Sequence, residues 1–310
     1  MTDRGTALVT GGTGWLGTRL VRRLLEQGTQ VRVLARSAEG AARLRGAVAD
    51  RAAALAIVHG DLTDREVLAA AAGGAQVVFH LAAEKAVERC ERDPAGAVRT
   101  NVLGSLFVFE AARAAGARRV VAASTDKACE PVGTLGVTKL LMERVLCEDG
   151  GSASGIAVRL GGIIESADSV IERWHAAART SGTIEVTDPE MTRFLMSADE
   201  AVAALLDAAA RDDENAIVAP SLPAYRLGDL ADAFASAHEA RVVTVGPRPG
   251  ERTHESLVSA EEARFARREA DGFVITPGRP QAGAGPYRSC DAPRLGAAEL
   301  ARYVLADARS

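Results

Sequence analysis

Four glycines fall within the seven-residue run Gly11-Gly12-Thr13-Gly14-Trp15-Leu16-Gly17, directly after the apolar stretch Ala7 to Thr10 and before a helical pattern from Arg19 to Glu26. A strand that turns at once into a helix needs glycine for the tight turn and for close approach of backbone to a phosphate. It needs glycine again where the helix packs on the sheet. The helix start adds unpaired N–H groups and the positive end of its dipole, which together favour an anion. The run therefore predicts the pyrophosphate loop of a dinucleotide site, lined by Gly11, Thr13, Gly14, Trp15, Leu16 and Gly17.

The chain around that loop keeps the rhythm the loop demands. Strand-length apolar runs recur at Ala7 to Thr10, Val31 to Ala35, Ala56 to Val58, Val77 to Leu81, Val120 to Ala123 and Ile156 to Leu160, separated by amphipathic stretches such as Gly104 to Ala115. Continuous apolar strands alternating with helices read as an α/β Rossmann fold, a doubly wound parallel sheet buried on both faces. Beyond Leu160 the pattern loosens into a helical Val170 to Thr180 and a return to the sheet around Phe194 to Ala210. Residues 1–165 and 194–220 are expected to form the dinucleotide-binding domain. Residues 166–193 and 221–310 are expected to form a smaller, mostly C-terminal substrate-binding lobe.

Composition narrows the functional classes. At 310 residues with 47% apolar and 25% charged residues, the chain is a globular protein with a full core. A net charge of −4 argues against a nucleic-acid binder, which needs clustered cations to displace counterions. Cys90, Cys129, Cys147 and Cys290 are scattered, and His59, His80, His175, His238 and His254 make no ligand spacing, so no metal is expected. No apolar run approaches a membrane span and Met1-Thr2-Asp3-Arg4 does not open a signal peptide, which predicts a cytoplasmic protein.

After the second strand an NAD enzyme usually places an acidic residue to bind the ribose hydroxyls. Here the strand ends Leu34-Ala35-Arg36-Ser37. A guanidinium and a hydroxyl suit a 2′-phosphate, so NADP is the expected cofactor, with NAD the alternative. Asp61 and Leu62, after the third strand, are expected at the adenine.

Several strings then become recognisable: His80-Leu81-Ala82-Ala83-Glu84-Lys85, Asp93-Pro94 through Thr100-Asn101, Ser124-Thr125-Asp126-Lys127-Ala128, Gly136-Val137-Thr138-Lys139, Val186 through Phe194, Arg248-Pro249-Gly250-Glu251 and His254-Glu255. The chain resembles the extended short-chain dehydrogenase/reductases, and within them the UDP-N-acetylglucosamine 4,6-dehydratase (polysaccharide biosynthesis) family. The resemblance implies a sugar-nucleotide substrate, transient oxidation at C4, loss of water across C5 and C6, return of the hydride to C6, and a homo-oligomer. It implies Lys127 as the base at C5, Asp126 as proton donor to the leaving hydroxyl, Thr125 as a hydrogen-bonding partner of the C4 oxygen, and Lys139 at the nicotinamide ribose. It also implies cofactor contacts from Leu81, Ala82, Ala83, Lys85 and Asn101, and substrate contacts from Lys85, Arg193, Arg248 and Glu251. Burial is expected to lower the lysine pKa and raise the carboxylate pKa, so that each exchanges protons near neutrality.

The chain departs from that pattern in three places. Leu135 stands where most short-chain dehydrogenases carry the proton-transferring tyrosine of YxxxK, as an apolar residue also does in the membrane-anchored branch of the family. Asp126 or Thr125 then has to assist deprotonation at C4. Gly162 replaces an asparagine that meets substrate, and Glu165 to Val170 lacks an arginine and carries Asp168 near the expected phosphate. The residues leave open a dehydratase, an epimerase sharing the oxidation step, and a catalytically silent NADP-binding protein.

Overall fold

The computed structural model describes residues 5–148, 153–166, 169–281 and 283–307. Asp168 and Met1 to Arg4, named above, lie outside the described residues. Strands β1 (Thr6–Thr10), β2 (Gln30–Ala35), β3 (Leu55–His59), β4 (Ala75–His80), β5 (Arg119–Thr125) and β6 (Ser154–Leu160) are parallel and lie in the order β3-β2-β1-β4-β5-β6. Each begins or ends within a few residues of the apolar run that predicted it. Crossovers run through α1 (Trp15–Glu26), α2 (Ala38–Ala47), α3 (Arg65–Ala72), α4 (Val87–Arg92), α5 (Pro94–Val98), α6 (Ser105–Ala114) and α7 (Thr134–Leu146). In α1 the helical period buries Leu20, Val21, Leu24 and Leu25 and leaves Arg19, Arg22 and Arg23 in water. Strand order reverses between β1 and β4, and the crevice that opens there at the strands' C-terminal ends is where doubly wound sheets bind ligands.

The second half departs from the expected division. It comprises β7 (Gly162–Ile163), α8 (Val170–Ser181), β8 (Thr183–Val186), β9 (Thr192–Met196), α9 (Ala198–Ala210), β10 (Ala216–Pro220), β11 (Ala224–Arg226), α10 (Leu227–His238), β12 (Arg241–Thr244), β13 (Ser256–Val258), β14 (Ala266–Glu269), β15 (Gly272–Ile275), β16 (Tyr287–Arg288) and α11 (Ala297–Asp307). The strand containing Phe194 does not return to the large sheet; β9 pairs with β7 and β11 in a small sheet of its own. The strand that returns is β10, parallel to β6. Residues 266–275, expected in the smaller lobe, hydrogen-bond to the large sheet instead, with β15 antiparallel to β10 and β14 antiparallel to β15. All four residues of β15 are buried. The pairing satisfies backbone groups that β10 would otherwise present at an open edge.

Below the crevice, His80 at the end of β4 is 1% exposed. Its ring nitrogens share hydrogen bonds with Thr10 Oγ1 at 2.7 Å and Ser105 Oγ at 2.8 Å, joining β1, β4 and α6. Burial, with the nearby Lys139 ammonium adding to it, pushes the imidazole from 6.5 down to about 3. In that interval the unfolded chain binds a proton that the folded one refuses. The stability is therefore complete above 6.5 and is lost as pH falls toward 3, at up to about 1.4 kcal/mol per pH unit. Chemical denaturation from pH 7 to 4.5 is expected to give a shallower pH slope for His80→Gln than for the wild type. Equal slopes would remove His80 from the account.

Candidate active site

A cleft of about 1550 Å³ runs over the strand ends, lined by the glycine loop and by Lys127, Arg193, Arg248 and Glu255. The loop has the geometry its sequence required. Gly11 sits at φ +71°, and a Cβ there would lie 2.6 Å from Ala82 N; a Cβ on Gly17 would lie 2.1 Å from Gly11 O. Gly14 caps α1 in an extended conformation and donates from its N–H to Gly11 O at 3.0 Å. Thr13, Gly14, Trp15, Leu16, Leu81, Ala82 and Ala83 all line the cleft.

At the end of β2, Arg36 is exposed on the cleft wall. Ser37 caps α2, its oxygen accepting from the Gly40 N–H at 3.1 Å; the hydroxyl proton stays available to donate. Asp61 also lines the cleft, but its Oδ1 turns back to the Thr63 N–H (2.9 Å) and hydroxyl (2.8 Å). Those two bonds hold its carboxyl below the usual range, with Arg36 adding a smaller pull. Leu62 packs against the core beside Gly104.

Asn101 is a correction. It is fully buried in the π-helical turn Arg99–Gly104 that precedes α6, and it is absent from the cleft wall. Its Oδ1 accepts from the Glu84 N–H at 2.8 Å, while Nδ2 donates to Glu84 O at 3.0 Å and Thr138 Oγ1 at 3.1 Å. It clamps the segment after β4 to α7, behind the cleft wall. Lys85, on that segment, does reach the cleft.

The acid/base group lies where β5 ends. Thr125 caps the 3-10 turn Asp126–Ala128 and donates from Oγ1 to Asp126 Oδ1 at 2.9 Å. Lys127 Nζ donates to the same Oδ1 at 3.1 Å and lies 3.3 Å from Glu255 Oε1. Both carboxylate side chains are only 3% exposed. Burial works against the Lys127 charge, but Asp126 and Glu255 outweigh it, so the ammonium is held above its ordinary range. The expectation of a lowered Lys127 pKa is therefore wrong for the resting site. The lysine that burial pushes down, to about 8 and against the pull of Glu143, is Lys139. Its Nζ donates to Ala123 O at 2.6 Å and meets Met142 Sδ at 3.1 Å.

The predicted substrate cations converge from the second half. Arg193 on β9 is tethered to Thr192 O (2.9 Å) and Thr253 O (3.2 Å), with Nε 3.8 Å from Glu255. Arg248 reaches Glu88 at 3.4 Å and Glu185 at 3.2 Å across the cleft. Glu251 accepts from the Arg248 N–H at 3.2 Å and so closes the turn that carries Arg248. Gly162 and Leu135 both line the cleft, without a polar side chain at either place. Among the lining residues that carried no role in the sequence reading, Glu255 and Tyr225 are coupled to the Thr-Asp-Lys turn through Lys127. Glu255 was visible only as part of a matching string. Tyr225, 7% exposed beside Lys127 and Arg193, had no motif to mark it.

A family model described as polysaccharide biosynthesis protein matches residues 7–277. A UDP-glucose 4-epimerase of Rickettsia rickettsii is 33% identical over 284 residues, 87% of this chain and 82% of that protein. An inverting UDP-N-acetylglucosamine 4,6-dehydratase of Campylobacter jejuni is 29% identical over 287 residues, 89% and 84% of the two chains. Among solved structures, Pen from Bacillus thuringiensis superposes with a TM-score of 0.91 at 29% identity, covering 98% of this chain and 99% of that one. MoeE5, in complex with UDP-glucuronic acid and NAD, gives 0.68 at 25% identity over 80% and 87%. Among the described residues no helix is long and apolar enough to cross a membrane. With the glycine loop, the Thr-Asp-Lys turn and these relatives in agreement, the chain belongs to the polysaccharide biosynthesis protein family, among the sugar-nucleotide dehydratases and epimerases of the extended short-chain dehydrogenase/reductases.

Proposed function

We propose that the protein is an NADP-dependent dehydratase of a sugar nucleotide resembling UDP-N-acetylglucosamine, acting by transient C4 oxidation, loss of water across C5 and C6, and hydride return. The observation that carries this reading is the Thr125-Asp126-Lys127 turn opening into the same cleft as the glycine loop, with Lys127 touching a buried carboxylate at 3.1 Å. An epimerase that only oxidises and re-reduces C4 has no water to expel. A lysine–carboxylate pair can both take the C5 proton and hand one to the departing hydroxyl.

In this reading the dinucleotide lies along Gly11 to Gly17 and supplies the hydride acceptor. Thr125 hydrogen-bonds the C4 oxygen, Lys127 serves C5, Asp126 serves the C6 hydroxyl, and Lys139 holds the nicotinamide ribose. Arg193 and Arg248 face the diphosphate, with Lys85 and Glu251 beside them. Since Asp126 and Glu255 keep Lys127 protonated at rest, it accepts from C5 only after its own proton has moved to a carboxylate neighbour. An epimerase of the same superfamily is the second reading, favoured by the identity to the R. rickettsii enzyme.

The test is incubation with UDP-N-acetylglucosamine and NADP, with product mass and sugar NMR followed together. Loss of one water supports the dehydratase. Unchanged mass with a new ring pattern replaces it by the epimerase. Tight dinucleotide binding without turnover of any sugar nucleotide leaves a silent binding protein. The cofactor assignment is tested separately. Arg36→Ala is expected to cut the preference for NADP over NAD about 10- to 100-fold, the worth of a charge-assisted contact of ~1.5–3 kcal/mol. An unchanged ratio of dissociation constants by titration calorimetry would favour NAD as the cofactor.

A further inference from the structure

Leu135 cannot accept a proton, so the oxidation step lacks the group that ordinarily takes the hydroxyl hydrogen. Asp126 Oδ1 is already occupied by both Thr125 and Lys127. Glu255 is differently placed. It enters from the C-terminal half just before β13, 2% exposed, with its backbone pinned by Ser289, whose hydroxyl accepts from the Glu255 N–H at 2.9 Å and whose N–H donates to Glu255 O at 2.8 Å. One carboxylate oxygen, Oε1, faces Lys127 at 3.3 Å and Arg193 at 3.8 Å. The other, Oε2, is buried and meets no hydrogen-bond donor. A buried carboxylate oxygen left unpaired is costly unless a ligand completes it. The Glu255 side chain lines the main cleft, and it also shares a small pocket with Leu135 and Lys127. Glu255, with its free acceptor, thus shares a pocket with the position from which the usual tyrosine is missing.

We propose that Glu255 is a catalytic residue, whose Oε2 accepts the proton of the sugar hydroxyl being oxidised. This rests on the sugar-nucleotide reading above and holds for dehydration and epimerisation alike. In the step, the hydroxyl O–H bond breaks and its proton forms an O–H bond on Glu255. The C4–H bond breaks with its electron pair, which leaves as hydride to the oxidised nicotinamide, and C4 becomes a ketone.

The consequence reaches the next step. Once Glu255 is neutral, one of the two carboxylates that hold Lys127 as an ammonium has lost its charge, and the Lys127 proton passes to Asp126 at 3.1 Å. The amine then takes the C5 proton while Asp126 protonates the departing C6 hydroxyl, which leaves as water. When hydride returns to C6, Lys127 gives C5 a proton, and Glu255 re-protonates Lys127. Each proton is accounted for, and the site ends as it began.

The experiment compares wild type, Glu255→Gln and Glu255→Asp with UDP-N-acetylglucosamine and the preferred dinucleotide, reading reduced-nicotinamide absorbance in single turnovers, with and without deuterium at C4. Glu255→Gln is expected to slow hydride transfer at least about 10²-fold, with KM for the sugar nucleotide changed less than about threefold and dinucleotide affinity retained as the check on folding. Glu255→Asp keeps the carboxylate and is expected to recover most of the loss. Hydride transfer in Glu255→Gln within a few-fold of wild type overturns the proposal, and loss of it in Tyr225→Phe instead moves the role to that hydroxyl. A wild type that never reduces its dinucleotide overturns the functional reading itself, and this assignment with it.

Discussion

Lys127→Met lowers kcat at least about 10³-fold, the scale expected when a single acid/base group is removed, and leaves dinucleotide binding intact. The separation follows from placement. The glycine loop proposed to hold the dinucleotide follows β1 whereas Lys127 follows β5, and none of the backbone hydrogen bonds that shape the loop involves this lysine. The substitution also takes away the cation shared by Asp126 and Glu255, so two buried carboxylates lose their common counter-charge. Proton exchange at C5, followed by deuterium wash-in from solvent, stops in the variant. Continued wash-in at the wild-type rate would exclude Lys127 from C5 chemistry, whatever happened to kcat.

The second large effect falls on stability rather than catalysis. Arg159 on β6 is wholly buried. Its guanidinium donates to Glu143 at 2.8 and 3.1 Å, to Glu262 at 2.7 and 2.8 Å, and to Leu257 O at 2.9 Å. Ser124 adds a hydrogen bond to Glu143 at 2.5 Å, and Cys129 one to Glu262 at 3.3 Å. One side chain therefore ties β6, α7, β13 and the turn at Glu262 together directly beneath the Thr-Asp-Lys turn. Burial alone would raise the Glu262 carboxyl, but Arg159 outweighs it and holds the group at about 2. Arg159→Met leaves the buried Glu143 and the half-buried Glu262 without a counter-charge and is expected to cost about 3–5 kcal/mol in urea unfolding, whereas replacing the whole ion cluster together is expected to cost far less. The triple change Arg159→Met, Glu143→Gln, Glu262→Gln should thus be more stable than Arg159→Met alone. The opposite order would show that the charges are not what the single variant loses.

Both predictions depend on residues that the sequence ranked very differently. Lys127 stands inside a recognisable string, and its place at the end of β5 follows from the strand pattern. Arg159 appeared only inside the apolar run Ile156 to Leu160, and nothing local to it indicates two carboxylate partners. Glu143 lies one turn past Lys139 on α7 and Glu262 far along the chain, so the cluster exists only once β6, α7 and the C-terminal half pack together.

The same division runs through the glycine-loop site that opened the reading. The Gly11 position needs glycine because Leu81 and Ala82, after β4, pass against it, but the demand at Gly17 lies within the seven-residue run itself, where a Cβ would collide with Gly11 O. A demand of the latter kind is local, so the chain itself determined the loop, the parallel sheet and the position of the Thr-Asp-Lys turn. What the tertiary structure decided is the state of the groups at that turn. Lys127 is held charged by its neighbour Asp126 and further by Glu255, which arrives from a distant segment, Asn101 is spent as a clamp because α7 covers it, and β14 and β15 join the large sheet because β10 offers an unpaired edge. Long-range pairing and burial set ionisation and hydrogen-bond partners, and neither is written in the spacing of neighbouring residues.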